Sequence, residues 1–255
     1  MDYLNNVQYH SLHGKRVVIT GAASGIGEEL SRAFASQGAK VAILDIQEEA
    51  GLALAKELNG EFYCCDVTDI EQLKLTLEEV NQKFSGVDVL INNAASDDHH
   101  KLDELTELEY NELMNINLRH QLFAIQSVVP VMAQGGSGSI INMGSIIWRR
   151  GKPGRVCYSI AKAAIHGMTR ALAHELGEKG IRVNSLVPGA IKTAKQEAMW
   201  ASLDPEAEQR FLEQQALKMR LDSSHCARMA LFLASDESAG CTGQDFIVDA
   251  GLSIN

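Results

Sequence analysis

Cysteine is scarce and unpaired in this chain. Cys64, Cys65, Cys157, Cys226 and Cys241 are odd in number and show no C-x-x-C spacing. This excludes a disulfide framework and reads as reduced thiols in a cytoplasmic protein. Adjacent Cys64 and Cys65 lack the intervening residues that a chelating pair needs, and the eight histidines form no metal-spaced set with them, so no metal is expected. The neighbours His99 and His100 read as a solvated loop pair. No apolar run is long enough to span a bilayer. The polar stretch from Met1 to Leu12 lacks the apolar core of a signal peptide, so the expectation is a cytoplasmic protein without membrane contact. Positive charge is also in deficit. The formal net charge is -10, a field that repels phosphate backbones and argues against a nucleic-acid partner. Repeats, low-complexity tracts and Pro/Gly-rich linkers are absent. The reading is one domain over residues 1–255, with 1–11 as an N-terminal extension.

What is present is ordinary globular material. The 255 residues are 45% hydrophobic and 22% charged, enough to bury a sizeable core without staples. Short apolar runs alternate with amphipathic stretches. Strands are expected at Val17–Ile19, Val41–Leu44, Phe62–Cys65, Val87–Ile91, Ser139–Met143, Ile181–Val187 and Phe246–Val248, and helices at Gly25–Gln37 and Glu48–Leu58. Short β-branched runs separated by helices predict an α/β fold with parallel strands covered on both faces. Thr106-Glu107-Leu108-Glu109 has the form of a capping box. It should open a long helix that runs through Val128 and stops before Pro130. Residues 190–220 carry no strand-like run, and Asp204-Pro205 suggests a helix start there. That stretch is expected to be a helical lid over a ligand.

The first strand runs into Thr20-Gly21-Ala22-Ala23-Ser24-Gly25-Ile26-Gly27. Glycines at 21, 25 and 27 sit where the backbone must turn tightly and let a pyrophosphate approach helix N–H groups. The second strand ends at Asp45. A carboxylate there accepts both ribose hydroxyls of NAD and repels the 2′-phosphate of NADP. Ile46 and Gln47 offer no cation to that phosphate, so NAD is favoured. A helix cap is the alternative for Asp45. Asp66-Val67 and Asn92-Asn93-Ala94 close the third and fourth strands, where such folds bind ligands. Asp66 is placed to accept the adenine amino group. Asn93 either contacts the cofactor or ties down its own turn.

Tyr158 and Lys162 stand one turn apart on a helix expected from Tyr158 to Gly177. A free tyrosine, with a pKa of about 10, is too weak a base at neutral pH. A neighbouring ammonium lowers that value and can also hold a ribose hydroxyl. The phenolate then takes the proton of an alcohol as its hydride leaves for nicotinamide, or in reverse protonates an alkoxide. Ser145 follows the strand Ile140–Met143, where its hydroxyl can bond the substrate oxygen.

These residues resemble the short-chain dehydrogenase/reductase family from Leu12 to the C-terminus. The motifs are TGAASGIG at 20–27, NNA at 92–94, GS at 144–145, YSIAK at 158–162 and VPG at 187–189. The resemblance implies a single Rossmann-type doubly wound sheet of seven parallel strands. It implies a catalytic tetrad of Asn117, Ser145, Tyr158 and Lys162, with Asn117 holding a water that relays protons to the lysine. It assigns the cofactor to Gly21, Ser24, Gly25, Ile26, Gly27, Asp45, Asp66, Val67, Asn93, Pro188, Gly189, Ile191 and Thr193, together with Tyr158 and Lys162. It also implies a homotetramer. Asp97 to Lys101, Asn117 to His120, Gly144 to Trp148 and Lys192 to Glu197 are similar to the family's D-xylose-type aldose dehydrogenases, which oxidise a cyclic sugar at C1 to its lactone with NAD. On that likeness Asp97 or Asp98 accepts sugar hydroxyls and Trp148 covers the apolar sugar face. The plainer alternatives are a solvated acidic loop and a packing tryptophan. Ala95-Ser96, His99 and Ile147 depart from those sugar enzymes, and Arg149-Arg150 adds a basic pair that would suit an acidic sugar or simply face solvent. The competing activities are reduction of a ketone or 3-oxoacyl thioester, and a noncatalytic dinucleotide sensor.

Overall fold

A computed structural model describes residues 7–193, 196–198 and 206–254. Seven strands form one parallel sheet: β1 (Arg16–Thr20), β2 (Lys40–Asp45), β3 (Glu61–Cys64), β4 (Val89–Asn92), β5 (Gly138–Met143), β6 (Ile181–Pro188) and, last in the chain, Asp245–Val248. Their order across the sheet is β3-β2-β1-β4-β5-β6 and then the last strand. The register couples Val17 to Val41 on one side and to Val89 on the other. The side-chain period of two sends neighbours to opposite faces. Val17 and Ile19 therefore pack with Leu30, Phe34 and the last helix, Ser223–Ala234. Val18 packs with Leu73, Leu77, Val128 and Ile140 on the other face. Both faces are covered, which is why the strands read as unbroken apolar runs.

The crossovers are α1 (Gly25–Ser36), α2 (Glu48–Leu58), α3 (Ile70–Phe84), α4 (Glu107–Met114), α5 (His120–Gly135) and α7 (Val156–Leu176), with a short α6 (Ile147–Arg150) ahead of the last. The Thr106 capping box forms, with Glu109 reaching back to the Thr106 N–H at 2.8 Å.

Three expectations are corrected. The long helix does not stop before Pro130 but runs to Gly135. A proline inside a helix costs about 3 kcal/mol; here the i, i+4 pair Val128 and Met132, each 1% exposed, holds the helix to the core on both sides of it. Nor is that helix regular throughout: the chain stays helical from Glu107, but Asn115–Arg119 forms a π turn between α4 and α5. Finally, the stretch 190–220 contains a strand. Ile191–Lys192 (β7) pairs in parallel with Leu221–Asp222 (β8), and this two-stranded clip pins the base of the excursion that carries the helix Ala207–Glu213. The helix start expected at Asp204-Pro205 lies outside the described residues. The N-terminal extension is anchored from Tyr9 onward: its N–H donates to Gln37 Oε1 at 2.8 Å, and the turn that follows buries Leu12.

Candidate active site

The order of the strands reverses between β1 and β4, and a cleft of about 1010 Å³ opens at the carboxyl ends there, where doubly wound sheets bind their ligands. The loop from β1 into α1 forms its floor. Gly21 has φ +61°, and a Cβ on it would stand 2.8 Å from the Ala94 Cα. At Gly27 a Cβ would fall 2.0 Å from the Gly21 carbonyl oxygen, so no other residue lets the helix come this close to its own loop. Ser24 N-caps α1 in an extended conformation without a side-chain capping bond. The opening amides of α1 and the positive end of its dipole suit a pyrophosphate. Asp45 is buried at the tip of β2. Its Oδ2 accepts from the Ala23 N–H at 2.9 Å and its Oδ1 from the Gln47 N–H at 3.0 Å. The carboxylate thus ties the glycine loop to β2 and still lines the cleft, with Ile46 and Gln47 beside it. A dinucleotide fits this cradle: a helix start for the pyrophosphate, a carboxylate for a ribose, and a wall at Asp66 and Val67 for a base.

At the other end of the cleft lie Ser145, Tyr158 and Lys162. Ser145 follows β5, while Tyr158 and Lys162 lie on α7. The Ser145 hydroxyl is hydrogen-bonded to Tyr158. The Lys162 Nζ is 5.4 Å from the centre of the Tyr158 ring and donates to the Met143 carbonyl at 2.7 Å. The expectation that Lys162 makes Tyr158 acidic is not met in this geometry. Burial pushes the phenol up to about 12, the Asp97 charge adds to that, and the Ser145 bond and Arg155 oppose it. Burial also pushes Lys162 down to about 7. Both shifts have the same leading cause, the loss of water around a charge. The resting pair is therefore a neutral phenol beside a lysine that changes charge near neutrality.

Asn117 does not line the cleft. Its side chain clamps Ser96, accepting from the N–H at 3.1 Å and donating to the carbonyl at 2.8 Å, and donates to the Leu113 carbonyl at 3.0 Å. The side-chain amide is therefore committed to the loop after β4 and to the end of α4, and is not turned towards Lys162. One turn on, His120 is fully buried, with Nε2 3.1 Å from the Ala94 carbonyl.

Comparison with known proteins agrees with this geometry. A family model described as enoyl-(acyl carrier protein) reductase matches residues 21–253. The D-xylose 1-dehydrogenase of Caulobacter vibrioides is 46% identical over 97% of this chain and 99% of its own. A 3-oxoacyl-(acyl-carrier-protein) reductase of Thermotoga maritima is 39% identical over 95% of this chain and 99% of its own. The solved structure of Thermoplasma acidophilum aldohexose dehydrogenase superposes with a TM-score of 0.88 at 27% identity, covering 97% of each chain. The chain belongs to the short-chain dehydrogenase/reductase family. It is an oxidoreductase of the alcohol–carbonyl type, and its relatives include sugar dehydrogenases.

Most residues expected to serve this family chemistry meet in the cleft: Gly21, Ser24, Ile26, Asp45, Asp66, Val67, Asn93, Asp97, Asp98, Pro188, Gly189, Ile191 and Thr193 line it with the catalytic three. Gly25 and Gly27 shape the loop from behind. Asn93 ties down its turn through its side chain, donating to the Thr20 and Gly21 carbonyls at 3.0 and 2.9 Å. Asp97 is bound to Arg155 at 3.3 Å, and Asp98 accepts from the Ser96 hydroxyl at 2.5 Å. Trp148 is not among the lining residues. Its indole N–H donates to His166 Nε2 at 2.8 Å, and His166 Nδ1 lies 2.5 Å from Asp245. Its polar edge packs α6 onto α7, so its position does not support the sugar-covering role. The sequence reading passed over Lys152 and Arg155, which line the cleft; His99, read there as a solvated loop residue, is exposed but also lines the cleft and accepts from Arg155 Nε at 2.8 Å. Of the basic pair, Arg150 lines the cleft while Arg149 stacks over Trp148 at 5.0 Å. Among the described residues, no helix is long and apolar enough to cross a membrane.

Proposed function

We propose that the protein is an NAD-dependent dehydrogenase that oxidises an aldose at C1 to its lactone. The observation that carries this reading is the convergence of Ser145, Tyr158 and Lys162 at one end of a cleft whose other end is closed by Asp45, in a chain 46% identical to a D-xylose 1-dehydrogenase. The hydroxyl of a cyclic sugar's C1 is an alcohol. Ser145 holds its oxygen, and Tyr158 exchanges its proton. The nicotinamide, when bound, accepts the hydride that leaves C1. Lys162, poised near neutrality, is the group on which the proton balance closes: its amine takes up the proton that the phenol passes on. The choice of NAD rests on the Asp45 carboxylate and on the lack of a cation at 46–47.

The reading extends to a cytoplasmic homotetramer. Leu108, Leu122 and Ile160 are exposed on α4, α5 and α7, and burying such apolar residues between copies is favourable. Sedimentation analysis should give four times the chain mass; a monomer would remove that part. A second reading, reduction of a 3-oxoacyl thioester, is favoured by the 39% identical relative and by the neutral Tyr158 phenol, which is the proton-donating form. The deciding experiment offers a panel of aldoses with NAD and of 3-oxoacyl thioesters with NADH and NADPH. Oxidation of an aldose with NADH production supports the first reading. Thioester reduction with no aldose turnover replaces it by the second.

A further inference from the structure

Between Ser145 and Tyr158 the chain carries Arg149, Arg150, Lys152 and Arg155 and no acidic residue. In a protein with 33 acidic and 23 basic residues, this is a local reversal of charge on the segment that joins two catalytic groups. Arg150, Lys152 and Arg155 all line the cleft. They end α6, follow it and N-cap α7, respectively. Among the described residues, Arg155 alone of the three has a carboxylate partner in the cleft, Asp97 at 3.3 Å. Arg150 donates to the neutral amide of Gln214 at 2.6 Å. Lys152 makes no ion pair among the described residues and is held below its usual range, first by burial and then by the charges of Arg150 and Arg155. Cations brought together in this way repel one another. An anion among them relieves that repulsion, and guanidinium groups match the oxygens of carboxylate and phosphate in pairs.

We propose that this basic mouth receives an anionic group at the far end of the sugar, so that the substrate is a uronic acid or a sugar phosphate rather than a neutral aldose. The inference rests on the aldose reading: C1 lies at Tyr158, and the charged carbon lies towards Lys152 and Arg150. The three cations lie at the Tyr158 end of the cleft, away from Asp45, so the ribose end of the cofactor does not account for them. Asp97, anchored by Arg155, remains to accept sugar hydroxyls.

The test compares D-glucuronate, D-glucose 6-phosphate and D-glucose, and the corresponding galactose series, as substrates with NAD. At least one anionic sugar should show a KM about tenfold or more below that of its neutral parent, a typical effect of a charge-assisted hydrogen bond. That advantage should shrink as salt is added. Lys152→Ala and Arg150→Gln should each cut the ratio of kcat/KM for the anionic over the neutral sugar by about tenfold, mainly through KM. NAD affinity, read by fluorescence, shows that the variants are folded. The uronate and phosphate arms identify which anion fits. If neutral aldoses are oxidised as well as or better than both anionic forms, the inference fails and the aldose reading stands. The inference also fails if both variants keep the wild-type preference. Absence of turnover on every sugar, charged or neutral, overturns both.

Discussion

Replacing Asp45 by alanine removes the only carboxylate among the three cleft-lining residues at the end of β2, and with it the barrier proposed against NADP. Two effects must be separated. The first is electrostatic. A unit charge pair about 5 Å apart at an effective dielectric of about 20 interacts by roughly 3 kcal/mol, and a 2′-phosphate carries at least one such charge. Loss of the repulsion should shift the NADP-to-NAD ratio of kcat/KM by about a hundredfold, since every ~1.4 kcal/mol is a factor of ten. NAD itself should bind less well, because its ribose hydroxyls lose their acceptor. The second effect is structural. Asp45 accepts the Ala23 and Gln47 N–H groups, and leaving a buried donor without its acceptor costs about 1–3 kcal/mol. For a chain of this size each kcal/mol lowers Tm by about 2–4 °C, so the variant should melt several degrees early. The assay is steady-state kinetics with both cofactors at saturating sugar, at a temperature well below the variant's Tm. A folded variant with an unchanged NADP-to-NAD ratio would refute the electrostatic argument. A variant that melts early yet keeps full NAD affinity would reduce Asp45 to a structural tie of the glycine loop.

Tyr158→Phe should abolish turnover while leaving NAD affinity nearly intact; full activity would remove the proposed proton carrier. Lys162→Met should raise Tm and abolish activity, because a fully buried ammonium with a pKa near 7 is less stable folded than in water at every pH below its free value of about 10.5; a lower Tm by calorimetry would contradict this. The same shift predicts that the rate of sugar oxidation rises through pH 7, as Lys162 loses its proton and can take up another; a flat profile between pH 6 and 8 counts against it. His120, pushed down to about 4 by burial and then by the Lys162 charge, binds its proton less readily folded than unfolded. It therefore costs nothing above pH 6.5, and stability falls as pH drops from 6.5 towards 4, by about 3 kcal/mol in all. His120→Gln should flatten that part of the stability curve in urea titrations.

The fold and one end of the site were legible because their causes are local. The run Val17–Thr20 followed by glycines at 21, 25 and 27 has few other physical uses, and short unbroken apolar runs identify parallel strands buried on both faces. What stayed hidden depends on distant packing. The π turn at Asn115–Arg119 leaves the apolar pattern of the helix nearly unchanged. Pro130 carries a strong local stop signal that only the burial of Val128 and Met132 overrides. Trp148 could be a sugar platform or a packing residue on sequence alone, and the choice turns on His166, eighteen residues on, which takes its N–H. Charges were the least legible of all. The spacing of Tyr158 and Lys162 says that they share a helix face. It does not say that Lys162 is buried and Tyr158 half-buried, and that the loss of water reverses the expected shift of the phenol.

That reversal joins the chemistry to the charge pattern around it. A half-buried phenol with Asp97 near it resists ionisation, and of the charges acting on it Arg155 is the one that favours the phenolate. Arg155 is also the ion-pair partner of Asp97, so it acts on Tyr158 twice, by its own field and by offsetting the acid's. A sugar that draws Arg155 towards an anionic substituent weakens that pair and leaves Asp97 more exposed to Tyr158. A sugar whose anion is held by Lys152 and Arg150 leaves the pair in place. The two neighbours of Arg155 therefore serve chemistry best by holding the substrate's charge themselves, which is the division of labour expected if the segment from Ser145 to Tyr158 sets both what is bound and how easily its proton moves.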